Sequence, residues 1–165
     1  MHTPPPENSK PDIAGVVAPP PLIYLAFLAI GLLASWLWPF AVFGESVPAF
    51  VRYALGAVFV AAGAGIVFTG LRQFRRAGTE ANPWRPTTAL VIAGPYRFSR
   101  NPLYLALTAT YLGIALAADS FWALLLLVPT LIAMRYGVIA REEAYLERKF
   151  GEAYRQYKQA VRRWL

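Results

Sequence analysis

From Leu22 to Phe40 the chain runs 19 residues without a charged side chain, and Tyr53 to Leu71 is a second uncharged run of 19. At 1.5 Å per residue each run makes a helix of roughly 28 Å, enough to cross a hydrocarbon core of about 30 Å. Two shorter apolar stretches follow, Leu103 to Ala118 and Phe121 to Met134, joined by Asp119-Ser120. They read as a helical hairpin that needs neighbouring helices and polar flanks to span, with Pro129 expected to kink its second arm. Lipid is therefore the main solvent. The composition agrees, because only 15% of residues are charged against about 25% in ordinary soluble domains.

The remaining segments are of a different kind. Residues 1–21 carry seven prolines among polar residues and read as a disordered or extended lead-in, without the pattern of a cleaved signal peptide. Residues 22–71 hold the first two spans, and residues 72–165 form a loop, the hairpin and a tail. The second span contains Gly56, Ala61, Gly63, Gly65 and Gly70; such small residues either let helix backbones approach closely or shape a cavity. Between Arg72 and Arg100 the chain is polar and irregular, broken by Asn82-Pro83 and Arg85-Pro86, and too long for an idle connector. In the tail, Leu146, Phe150, Tyr157 and Val161 recur at helical spacing while basic residues occupy other faces. This predicts an amphipathic helix on an anionic leaflet, bent at Gly151.

The fold class expected is all-α: an integral membrane bundle of about four transmembrane helices with a C-terminal amphipathic interfacial helix. The arginines of the 72–100 loop and the tail, set against turns almost free of positive charge, place both termini on the cytoplasmic side of an inner or cytoplasmic membrane. The net charge of +7 then reflects membrane topology, and nucleic acid is not expected as a partner.

The absence of cysteine and a single histidine, His2, exclude thiolate chemistry and make an imidazole metal site implausible, so no metal is expected. Two clusters could carry chemistry. In Gly94–Tyr104, Asn101 suits an N-cap and Pro102 a first helical position, and a helix start beside arginines attracts an anion such as a carboxylate. It could equally be no more than a helix start at the headgroups. The second cluster is Arg135, Arg141, Glu142 and Glu143. Arg135 and Glu142 are seven apart and fall on one helical face, roughly 10 Å from each other. Adjacent Glu142 and Glu143 diverge by about 100°, so one can face the bundle while the other meets solvent or Arg141. A solvated helix end is the plainer alternative.

The ordered occurrence of Leu90-Val91-Ile92-Ala93-Gly94-Pro95-Tyr96, Arg100-Asn101-Pro102-Leu103-Tyr104, Arg141-Glu142-Glu143 and Phe150-Gly151-Glu152-Ala153-Tyr154-Arg155-Gln156-Tyr157 resembles the isoprenylcysteine carboxyl methyltransferase and phospholipid methyltransferase family. The resemblance covers about residues 79–165; the first two spans are similar only in hydrophobicity. It implies S-adenosylmethionine as cofactor, in a cytoplasmic-side pocket. Leu90, Val91 and Tyr96 would line the nucleoside side. Asn101, Pro102, Leu103 and Tyr104 would hold the hairpin start against the cofactor with Arg100 beside them, and Glu142, next to Glu143, would take the amino group or ribose hydroxyls. Isoprenylcysteine enzymes commonly have histidine where Asn101 stands. Their substrate-side arginine falls nearest Val138, so Arg135 or Arg141 would orient the acceptor, with Glu142 completing the catalytic set. A lipophilic or lipidated acceptor, above all a prenylcysteine-like carboxylate, is implied. A phospholipid amine or a small thiol is the alternative acceptor, and a non-catalytic membrane scaffold or subunit is the rival class.

Overall fold

The computed structural model describes residues 12–165. Helix α1, Pro20–Leu37, opens on Pro20 and Pro21, whose fixed φ and missing N–H suit a first turn. Helix α2, Ala49–Arg76, overshoots its apolar run and ends on Arg75 and Arg76, where positive charge complements the helix C-terminus. Helix α3 is Pro102–Ala117 and α4 is Phe121–Met134. Pro129 lies inside α4, which continues through it. A π-helical turn follows at Arg135–Ile139, after which α5, Ala140–Phe150, continues the helix. Gly151, at φ +52°, divides α5 from α6, Glu152–Ala160, where the sequence places a bend.

Three helices are long and apolar enough to cross a membrane: α1, α2 and the continuous helix Phe121–Phe150; α3 is a fourth, shorter apolar helix. Among the described residues there is no strand, only an isolated bridge between Ala41 and Ser120. The protein is an all-helical integral membrane bundle. Within Phe121–Phe150, α5 carries six charged side chains in its 11 residues and so stands outside the apolar, membrane-crossing part.

Helix α2 packs along α3, and α1 along α4. Gly56, Gly63 and Gly70 recur every seven residues and are the buried residues of α2, one stripe down one face. A Cβ on Gly56 would lie 2.6 Å from the carbonyl oxygen of Gly113, and one on Gly63 2.8 Å from that of Ala106. The glycines therefore set helix contact, which decides against the cavity alternative; Gly65 faces open space.

The helix ends sort into two sets. At one, the Asp119 carboxylate accepts from the backbone N–H groups of Val42, Phe43 and Gly44 and pairs with Arg52. At the other lie the start of α3, the end of α2, the 77–101 loop, α5, α6 and residues 12–19. This last segment is tied to the π-helical turn and α5. Val17 N–H donates to the Gly137 carbonyl at 3.1 Å, Arg141 donates to the Gly15 carbonyl at 2.9 Å, and Lys149 pairs with Asp12 at 2.5 Å. The rest of the proline-rich stretch lies outside the described residues.

The tail reaches back to the start of α3: Tyr154 and Tyr157 are buried, and the Tyr157 hydroxyl donates to the Tyr96 carbonyl at 2.7 Å.

Candidate active site

At this second end a cleft with about 820 Å³ of empty space, its open mouth included, lies between the 80–104 segment and α5–α6. The turn at Gly94–Arg97 turns the chain into the cleft. Gly94 has φ +62°, and any Cβ there would meet Gln73 at 2.9 Å, so glycine satisfies both the left-handed backbone and the close approach.

Nine of the ten residues that the family resemblance assigns to a cofactor line this one cleft: Leu90, Val91, Tyr96, Arg100, Asn101, Leu103, Tyr104, Glu142 and Glu143. Pro102 does not line it; it is buried in the first turn of α3. Asn101 occupies the N-cap position, but its side chain makes no capping bond. Its Nδ2 donates instead to the Arg163 carbonyl at 2.9 Å.

The acidic pair diverges as adjacent helical residues must, but neither carboxylate meets solvent alone or reaches Arg141. Glu142 accepts a 2.6 Å hydrogen bond from the Tyr104 hydroxyl. Glu143 is buried between two guanidinium groups, Arg163 at 2.6 Å and Arg100 at 3.3 Å. The third lining carboxylate, Glu80, pairs with Arg85 at 2.8 Å. Glu142 is thus the lining carboxylate without a cationic partner among the described residues. Burial raises its carboxyl to about 7, opposed by the Tyr104 hydrogen bond and assisted by the nearby Glu143 charge. Burial likewise pushes the Tyr96 phenol upward.

The remaining two residues of the expected catalytic set stand elsewhere. Arg135 is exposed and lies over the Tyr136 ring at 5.5 Å. Arg141 is exposed and holds the Gly15 carbonyl. The shared face expected for Arg135 and Glu142 is lost because the π-helical turn closes i→i+5 hydrogen bonds and rotates everything downstream relative to a regular helix.

Sequence reasoning missed several lining residues: Phe74 from the end of α2, Tyr145 and Leu146 from α5, Tyr154 and Tyr157 from α6, and Ala14 from the N-terminal segment. Tyr154 and Tyr157, three apart on a helix, carried a detectable signal as an aromatic pair. Ala14 carried none. No group of three or more metal-ligating side chains is found among the described residues.

The molecule is thus a membrane bundle with a cleft at one set of its helix ends. The sequence pattern of the phospholipid methyltransferase family matches residues 51–153. The chain belongs to this family of membrane methyltransferases. The match takes in most of α2, further towards the N-terminus than the motifs alone suggested, and stops inside the tail. An uncharacterized protein of Haemophilus influenzae is 44% identical over 63 residues, covering 38% of this chain and 100% of that protein. No solved structure matches.

Proposed function

We propose that the chain is an S-adenosylmethionine-dependent methyltransferase whose cofactor occupies this cleft and whose acceptor is lipophilic or membrane-associated. The observation that carries the reading is Glu142, a carboxylate without a cationic partner, half-buried in a protein of net charge +7. A carboxylate so placed is costly to ionise without a cation, and the cofactor's ammonium would favour the ionised form.

The other donors fit as well. Arg100 lines the cleft, with Nη2 at 3.3 Å from Glu143 and its Nε and Nη1 buried without an acceptor; a guanidinium so loosely held suits a ligand carboxylate. Leu90, Val91 and Tyr96 offer an apolar wall for a nucleoside. With Glu80 and Glu143 paired to arginines, Glu142 is the lining carboxylate left for a ligand's cationic group. Bound there, the cofactor supplies an activated methyl group on a sulfonium. The protein's part is to fix that ligand by its amino-acid end, keep the wall dry, and align an acceptor at near-attack distance. Positive-inside asymmetry supports a cytoplasmic cleft.

For the acceptor, a prenylcysteine-like carboxylate would need a cation that neither Arg135 nor Arg141 brings to the cleft. The acidic lining and the family's description favour a phospholipid amine. The test is calorimetric titration of S-adenosylmethionine into detergent-purified protein and its Glu142→Ala variant. Equal binding by both removes Glu142 from the site, and no binding by either refutes the proposal. Methyl transfer from labelled cofactor to an aminophospholipid, compared with a prenylcysteine analogue, separates the acceptors.

A further inference from the structure

Arg163 lies beyond the residues that match the family, and in the sequence it is one basic residue among several in the tail. Its position is nonetheless closely specified. Its carbonyl accepts from the Asn101 Nδ2 at 2.9 Å and the Ser99 hydroxyl at 3.2 Å, and the neighbouring Arg162 carbonyl accepts from the Arg100 N–H at 3.0 Å. Its guanidinium then grips both oxygens of Glu143, with Nε at 3.0 Å from Oε1 and Nη2 at 2.6 Å from Oε2. Arg100 reaches the same carboxylate only through Nη2, at 3.3 Å.

The side chains of Arg100 and Glu143 are 8% and 9% exposed. A buried carboxylate takes the best forked partner within reach. With both oxygens occupied by Arg163, Glu143 leaves the Nε and Nη1 of Arg100 without an acceptor. Without Arg163, Glu143 would face Arg100 alone and close the fork on it.

We infer that Arg163 is a positioning residue: by gripping both oxygens of Glu143 it keeps Arg100 from closing its fork on that carboxylate, so that Arg100 can turn to the carboxylate end of the ligand. The inference rests on the cofactor reading given above and assigns the tail a part in ligand recognition.

The experiment compares two probes on the full chain in detergent. S-adenosylhomocysteine carries the amino-acid end; 5′-methylthioadenosine lacks it. Wild type prefers the former. Arg163→Gln lowers that preference by about thirtyfold, the worth of one charged hydrogen bond, and leaves methylthioadenosine binding unchanged. Adding Glu143→Gln restores the preference in part, since a neutral amide no longer captures Arg100. If Arg163→Gln does not fold, Arg163→Lys, which keeps the charge but loses the fork, shows a smaller loss in the same direction. Equal weakening of both probes, or no restoration in the double variant, overturns the inference while leaving the cofactor reading intact. Failure of wild type to bind either probe overturns the cofactor reading itself.

Discussion

Acidifying the medium should weaken ligand binding through Glu142 alone, and the size of the effect follows from its surroundings. Its carboxyl is raised to about 7 by burial, and only the ionised form attracts an ammonium. Between pH 7 and pH 5 the ionised fraction falls from about one half to about one in a hundred, so affinity for S-adenosylhomocysteine should fall by about fiftyfold. The ligand's own ammonium stays largely protonated over this interval. Glu142→Gln removes a charged hydrogen bond of about 2 kcal/mol, which is about thirtyfold at pH 7. Its affinity should then barely change with pH, and the two proteins should converge near pH 5. Isothermal titration in one detergent at constant ionic strength reads both curves. A wild-type affinity flat from pH 7 to 5, or a Glu142→Gln curve with the wild-type slope, would refute the reasoning.

The same carboxyl makes a prediction about stability. Because its folded value is raised above that of the unfolded chain, the folded state holds the extra proton between the two values and loses stability as pH rises through them. Glu142→Gln should therefore melt above wild type at pH 8, with the gap closing towards pH 5. Gly63→Val should cost about 2 kcal/mol by forcing α2 from α3, whereas Gly65→Ala, with open space around it, should melt like wild type. Asp119→Ala leaves Arg52 and three backbone N–H groups without their acceptor and should cost about 3 kcal/mol, measured by thermal melting. The chain has no cysteine, so Arg97→Cys, Arg148→Cys and Glu45→Cys can each be labelled singly in sealed vesicles. The first two should react from one side and the third from the other; any other pattern refutes the four-crossing arrangement.

Much of the fold was legible because lipid imposes simple rules. Charge-free length gave α1 and α2, and the Asp119-Ser120 turn gave the hairpin. Gly151 marked the break in the tail, because a left-handed backbone there favours glycine. The π-helical turn was not legible: Arg135–Ile139 has no composition that separates it from regular helix, and its rotation is what removes Arg135 from the face of Glu142. The partners of Asn101 were hidden for another reason. A residue that suits an N-cap locally is engaged by a carbonyl 62 positions away, and no local pattern carries that information. The amphipathic tail was recognised as such, but its apolar stripe has two possible solvents, membrane and protein. Tyr154 and Tyr157 take the second.

The stitching of residues 99–101 to the carbonyls of Arg162 and Arg163 has a consequence for biosynthesis. The hydrophobic segments can be handed to the bilayer one after another as they emerge, each by its own apolarity. The cleft has no such order: its far wall and the carbonyls that fasten it arrive only when residue 163 has been made. A nascent chain can thus be fully inserted while its cleft is still open on one side, so that the site is completed in one late step after the spans are in place.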